Sequence, residues 1–65
     1  MLSLPEIINN VTRHSELEPD TKFYVIEFLD KCLAGPYYYV TEETFNDFNP
    51  NTIRVECIMQ NGKII

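Results

Sequence analysis

The first hydrophobic residues of the chain follow a helical pattern. Ser3 and Glu6 have the spacing of a capping box, in which each residue satisfies an N–H group at the start of a helix. The apolar residues that follow recur on one helical face, with polar residues on the other: Leu4, Ile7, Ile8 and Val11. The pattern predicts a first helix from about Leu4 to Arg13.

A second apolar segment begins after Pro19 and Asp20. Proline in a first turn and an acidic group near the positive end of a helix both favour helix initiation, so we predict a second helix that extends to Ala34. Only a narrow stripe of it is left for solvent: Glu27, Asp30, Lys31 and Ala34. Such a helix is central and covered on more than one side. Gly35 and Pro36 predict its end.

The remaining half of the chain has the pattern of strands. Residues 37–40 are aromatic and β-branched, which predicts a short strand, and Thr41 then caps a short helical segment that reaches Phe48. From Ile53 apolar and polar residues alternate, and Asn61-Gly62 is a typical two-residue turn. We therefore predict a closing β-hairpin.

Together these elements predict an α+β fold. Two N-terminal helices pack on a small antiparallel sheet, formed by a strand near 37–40 and a hairpin near 53–65, with a short helical segment near 42–48. Residues 1–65 are expected to form a single small domain. A domain of this size buries only about 60% of its unfolded surface, so its stability is expected to be marginal, and formation of a homodimer is an alternative to folding alone.

The cysteines and the apolar stretches restrict which metal or disulfide chemistry and which location are expected. Cys32 and Cys57 have no second Cys or His at ligand spacing, so the sequence predicts neither a metal site nor a disulfide framework, and we interpret both residues as buried thiols. The first residues lack the features of a secretory signal, and no apolar stretch has the length of a membrane span. A cytoplasmic location is expected.

The charge balance restricts the partners. Ten acidic residues stand against five basic ones, for a formal net charge of −5. Such a chain repels phosphate backbones and anionic lipids, so we expect no direct binding to nucleic acid or membranes and predict a partner protein with a basic surface. The predicted function is that of a small acidic regulator or inhibitor. In a sharper form, it mimics nucleic-acid charge, as small inhibitors from phages and mobile elements do.

Acidic and tyrosine residues are the candidates for partner binding. For electrostatic steering these are Glu27, Asp30, Glu42, Glu43 and Asp47, and for contact area Tyr37 and Tyr38. Three more acids are expected in the first connecting loop: Glu16, Glu18 and Asp20. The alternative is that the acids only confer solubility and complement helix dipoles, and that the tyrosines build the core of a chain without tryptophan.

Catalysis is not predicted. His14 is the only histidine, and no spacing places a nucleophile and an orienting carboxylate beside it. With only Gly35 and Gly62, the chain has no glycine-rich phosphate loop, and no cofactor is predicted.

A helix-turn-helix over residues 41–60 is the competing interpretation. Its apolar and turn positions resemble those of the DNA-binding motif, with a recognition helix that begins at Thr52. That helix carries Arg54 as its one base, against Glu56, and so has almost no electrostatic attraction for DNA.

Overall fold

The computed structural model describes residues 3–30 and 36–65. In chain order the elements are helix α1 (Leu4–Leu17), strands β1 (Phe23–Phe28) and β2 (Tyr37–Thr41), short helix α2 (Glu42–Asn46), a 3-10 turn (Pro50–Thr52) and strands β3 (Ile53–Gln60) and β4 (Lys63–Ile64). The strands form one antiparallel sheet in the order β2-β1-β3-β4. The predicted small α+β fold is confirmed at this level.

Helix α1 begins where the sequence predicted. The Ser3 hydroxyl accepts a hydrogen bond from the Glu6 N–H at 3.4 Å and donates one to Glu6 Oε1 at 3.0 Å. The helix continues one turn beyond the predicted end at Arg13, because Ser15 extends the buried face formed by Ile7 and Val11. The sequence does not indicate this extra turn, because Ser15 is a polar residue within a polar run.

The predicted second helix is wrong: residues 23–28 form β1, an interior strand that is paired on both sides. Its apolar run is short and rich in aromatic and β-branched residues, and such a run fits a buried strand as well as a buried helix. The expected burial on several sides is correct, since Val25 and Ile26 are both fully buried on opposite faces of the sheet. Ala34, Gly35 and Cys32 lie outside the described residues.

The second half of the chain agrees closely with its pattern. Strand β2 covers the predicted segment, the Thr41 hydroxyl accepts a hydrogen bond from the N–H of Thr44 at the start of α2, and β3 and β4 form the predicted hairpin. Asn61 and Gly62 make its turn with φ of 54° and 76°. Helix α2 ends at Asn46, before the predicted end at Phe48. Since residues 53–60 are a strand, the recognition helix of a helix-turn-helix is not formed.

Helix α1 covers one face of the sheet, where the core consists of Ile7, Val11, Phe23, Val25 and Met59. The alternation of β2 places Tyr37 and Tyr39 against this core, while Tyr38 contacts Phe28 on the opposite face with ring centroids 5.2 Å apart. There α2 and the residues after it cover the sheet, through Phe45 stacked on Tyr24 and Phe48 against Phe28.

Candidate functional site

Charged residues gather at one end of the sheet, where α1 ends, β1 begins and β2 passes into α2. They line an open groove of about 470 Å³, which we call the acidic groove. Its lining residues are Glu18, Asp20, Thr21, Lys22, Thr41, Glu42, Glu43 and Gln60. Among the described residues, four carboxylates in the groove thus face a single ammonium group.

The ammonium group of Lys22 lies near Glu42. The Nζ of Lys22 lies 3.9 Å from Glu42 Oε2, and the Tyr24 hydroxyl donates a hydrogen bond to the same oxygen at 3.1 Å. Within the described part of the chain, Glu18, Asp20 and Glu43 have no ion pair, and all three are exposed. The groove therefore keeps a negative potential that its own cation does not cancel.

Local chain geometry explains why these acids meet. Glu18 caps the end of α1, with its N–H on the His14 carbonyl at 3.0 Å, so the negative end of the helix dipole adds to the potential there. Glu42 and Glu43 occupy the first turn of α2, after its cap Thr41. That position favours acids in any helix, so the dipole of α2 explains part of their placement.

Tyr24 ties the acidic groove to the face of the sheet that α2 covers. Burial against its neighbours raises the pKa of Tyr24 above the ordinary value, and the hydrogen bond to Glu42 and the charge of that carboxylate raise it further. Because the neutral phenol is the donor, Tyr24 holds Glu42 in place as long as it stays protonated. Of the four carboxylates, Glu42 is thus the one with a structural role.

The structure brings together two of the five acids proposed for steering, Glu42 and Glu43. Glu27 lies toward the far end of β1, where its carboxylate is 2.6 Å from the guanidinium of Arg54. Arg54 also pairs with Glu56 at 2.7 Å, and the hydrogen bond to Glu27 is the main cause that raises the pKa of Arg54. Glu27 is therefore paired away from the groove, in a cluster where one guanidinium is shared by two carboxylates.

The other proposed residues lie outside the groove as well. Asp30 is exposed beyond the end of β1, and Asp47 caps the end of α2. Tyr37 and Tyr38 are half-buried on opposite faces of β2, so the two rings do not form one patch. From the sequence, Glu18 and Asp20 are distinguished only as loop acids, since nothing in a local pattern shows that their loop meets the start of α2.

Metal and thiol chemistry find no support in the described residues. Among them, no group of three His, Cys, Asp or Glu side chains could hold a metal ion. Cys57, expected to be buried, is half-buried, and burial followed by the charge of Glu56 raises the pKa of its thiol. A neutral thiol is a poor nucleophile.

Comparison of the chain with protein families, with curated proteins and with solved structures gives no match. In residues 3–30 and 36–65, no helix has the length and apolar character that crossing a membrane requires.

Proposed function

We propose that this protein binds a basic segment of another protein in the acidic groove. The observation that carries the proposal is the juxtaposition of Glu18, Asp20 and Glu43, three exposed carboxylates from two separate parts of the chain with no cation paired to them within the described residues. Lysine or arginine side chains of a partner supply the missing positive charge.

The expected contribution of the groove is steering and selectivity more than tight binding. Exposed ion pairs are worth about 0.2–1 kcal/mol each, so three of them provide only a few kcal/mol and are screened by salt. A specific complex therefore needs further contact area beside the groove. Tyr37 and Tyr38, on the strand that leads into it, remain the proposed source of that area.

Nucleic-acid mimicry is the finer form of this proposal. A phosphate backbone presents a long row of negative charges, whereas the groove gathers four carboxylates and leaves Glu27 paired with Arg54. The arrangement supports recognition of a short basic segment better than imitation of a nucleic-acid strand. The protein acts as an inhibitor if that segment belongs to the working surface of its partner.

The test uses a basic heptapeptide of sequence Lys-Lys-Thr-Val-Thr-Val-Thr. Titrated into ¹⁵N-labelled protein at low salt, it is expected to shift the amide resonances of Glu18, Asp20 and Glu43 first. The double variant Asp20→Lys/Glu43→Lys should bind about tenfold or more weakly, a loss of roughly 1.4 kcal/mol. Glu42 is left unchanged, because it accepts the hydrogen bond of Tyr24.

The matched control is Asp30→Lys/Asp47→Lys. It changes the formal net charge of −5 by the same amount, but both residues lie outside the groove. We expect it to keep most of the affinity for the peptide. Equal losses in the two variants would mean that only net charge matters, and preferential binding of a DNA fragment would contradict the proposal outright.

A further inference from the structure

We infer that the basic segment binds as an added antiparallel strand on the edge of β2 that faces away from β1, with the cations at its N-terminal end in the acidic groove. The inference rests on the proposed function and specifies how the partner docks. It follows from the backbone of β2, from the contrast between the two edges of the sheet, and from the direction in which β2 runs.

The backbone of β2 has hydrogen-bonding groups that point away from the sheet. The Phe28 N–H donates to the Pro36 carbonyl at 2.7 Å, in line with the register that pairs Glu27 with Tyr37. Since neighbouring residues of an antiparallel strand alternate in direction, Tyr37 and Tyr39 turn their N–H and C=O groups outward. Among the described residues no strand pairs with this side of β2.

The opposite edge of the sheet is protected against strand addition. Strand β4 covers the end of β3, and the pairing of β3 with β1 is interrupted by a bulge opposite Val25 and Ile26. The part of β3 that β4 leaves uncovered carries the charged residues Arg54 and Glu56. Short strands, bulges and charges are the usual means of blocking an edge. Strand β2 has none of them over its five uncharged residues, Tyr37–Thr41.

The side chains of β2 offer an added strand contacts on both faces of the sheet. Tyr37 and Tyr39 lie on the face of α1, and Tyr38 and Val40 lie on the other. All four are half-buried, so each has surface left to cover. Aromatic and β-branched pairs across neighbouring strands contribute about 0.2–1 kcal/mol each, which supplies the contact area that the groove alone lacks.

The direction of β2 sets the orientation of the partner. The strand ends at Thr41, directly before the groove acids Glu42 and Glu43. An antiparallel neighbour begins where β2 ends, so its first residues lie beside the groove. A matching segment therefore carries Lys or Arg first and alternating β-forming residues after them, in the mode of strand addition to a sheet edge.

Amide hydrogen exchange tests the inference on the intact chain. With saturating Lys-Lys-Thr-Val-Thr-Val-Thr, we expect the Tyr37 and Tyr39 amides to exchange at least tenfold more slowly than in the free protein. The Tyr38 and Val40 amides, which face β1, should change little. The reversed peptide Thr-Val-Thr-Val-Thr-Lys-Lys and the flexible peptide Lys-Lys-Gly-Ser-Gly-Ser-Gly are the controls, and both should bind more weakly and protect neither tyrosine amide.

The outcomes separate this inference from the proposed function. If all three basic peptides shift the groove resonances equally and the Tyr37 and Tyr39 amides stay unprotected, strand addition is overturned and groove binding stands. If none of them binds, both proposals fail. Protection of the two amides that rises with protein concentration in the absence of peptide would show that a second copy occupies the edge, which also overturns the inference.

Discussion

A few single residues join the end of α1 to the distant β3–β4 turn: Ser15, Glu16 and Gly62. The Ser15 hydroxyl is fully buried and accepts a hydrogen bond from the Gly62 N–H at 2.8 Å, which fixes the end of α1 on the β3–β4 turn. The Asn-Gly pair made that turn predictable from the sequence. The bond to Ser15 was not predictable, because it joins residues 47 positions apart and Ser15 lies in a polar run that resembles a loop.

Substitution of Gly62 tests how closely the end of α1 packs on the β3–β4 turn. The φ of Gly62 is +76°, and an added Cβ would lie 2.6 Å from the Cγ of Glu16. We expect Gly62→Ala to lower the free energy of unfolding by about 2 kcal/mol, of which about 1 comes from the left-handed backbone and the rest from the contact. In a Glu16→Ala background the loss should fall to about 1 kcal/mol. Urea denaturation of the four proteins measures both values, and equal losses in the two backgrounds would contradict the described packing.

The raised pKa of Tyr24 predicts a loss of stability at alkaline pH. Its pKa is raised in the folded protein above the ordinary 10.0, first by burial and then by Glu42. The stabilising effect of the neutral phenol is therefore complete below pH 10 and is lost as the pH rises through the higher, folded-state pKa. Compared with Tyr24→Phe, the native chain should lose unfolding free energy above about pH 10. Parallel pH profiles of the two proteins would show that the Tyr24–Glu42 contact does not form in solution.

Among the secondary-structure elements, β1 is the one that the hydrophobic pattern did not identify correctly. The start of α1 was correctly predicted from its cap, strand β2 from its aromatic and β-branched residues, and the hairpin from its turn and alternation. Each of these signals depends on neighbours within a few residues. Phe23–Phe28 is apolar on both sides, so its period does not distinguish a helix from a strand. Its identity depends on β2 and β3, which lie outside the segment and pair with it on both sides.

The central position of β1 predicts unequal costs for the same substitution. Ile26 is fully buried in the strand, whereas Ile64 of β4 is 62% exposed. Ile26→Val should lower the free energy of unfolding by about 1 kcal/mol, because one methylene leaves a close-packed site. Ile64→Val should change it by less than about 0.3 kcal/mol, within the range usual for surface substitutions. Equal losses in thermal or urea unfolding would place the two residues in similar environments and contradict the sheet order.

For the whole molecule, the sequence indicated an acidic surface but not where its charge remains unpaired. The excess of acids was visible in the composition, and Glu42 and Glu43 were proposed from it. Only the fold shows that Arg54 forms ion pairs with both Glu27 and Glu56. It also shows that Glu18 and Asp20 lie beside the start of α2. The acidic groove is thus a product of tertiary structure, since its acids come from two segments more than twenty residues apart.

An exchange of charges between protein and peptide tests the proposed recognition most directly. The native chain should bind Lys-Lys-Thr-Val-Thr-Val-Thr and not Glu-Glu-Thr-Val-Thr-Val-Thr, and Asp20→Lys/Glu43→Lys should show the opposite preference, because opposite charges then meet in the groove again. Isothermal titration calorimetry at low salt measures all four pairs. We expect the preference to invert when the groove residues are reversed. An unchanged preference for the lysine peptide in the reversed variant would contradict it.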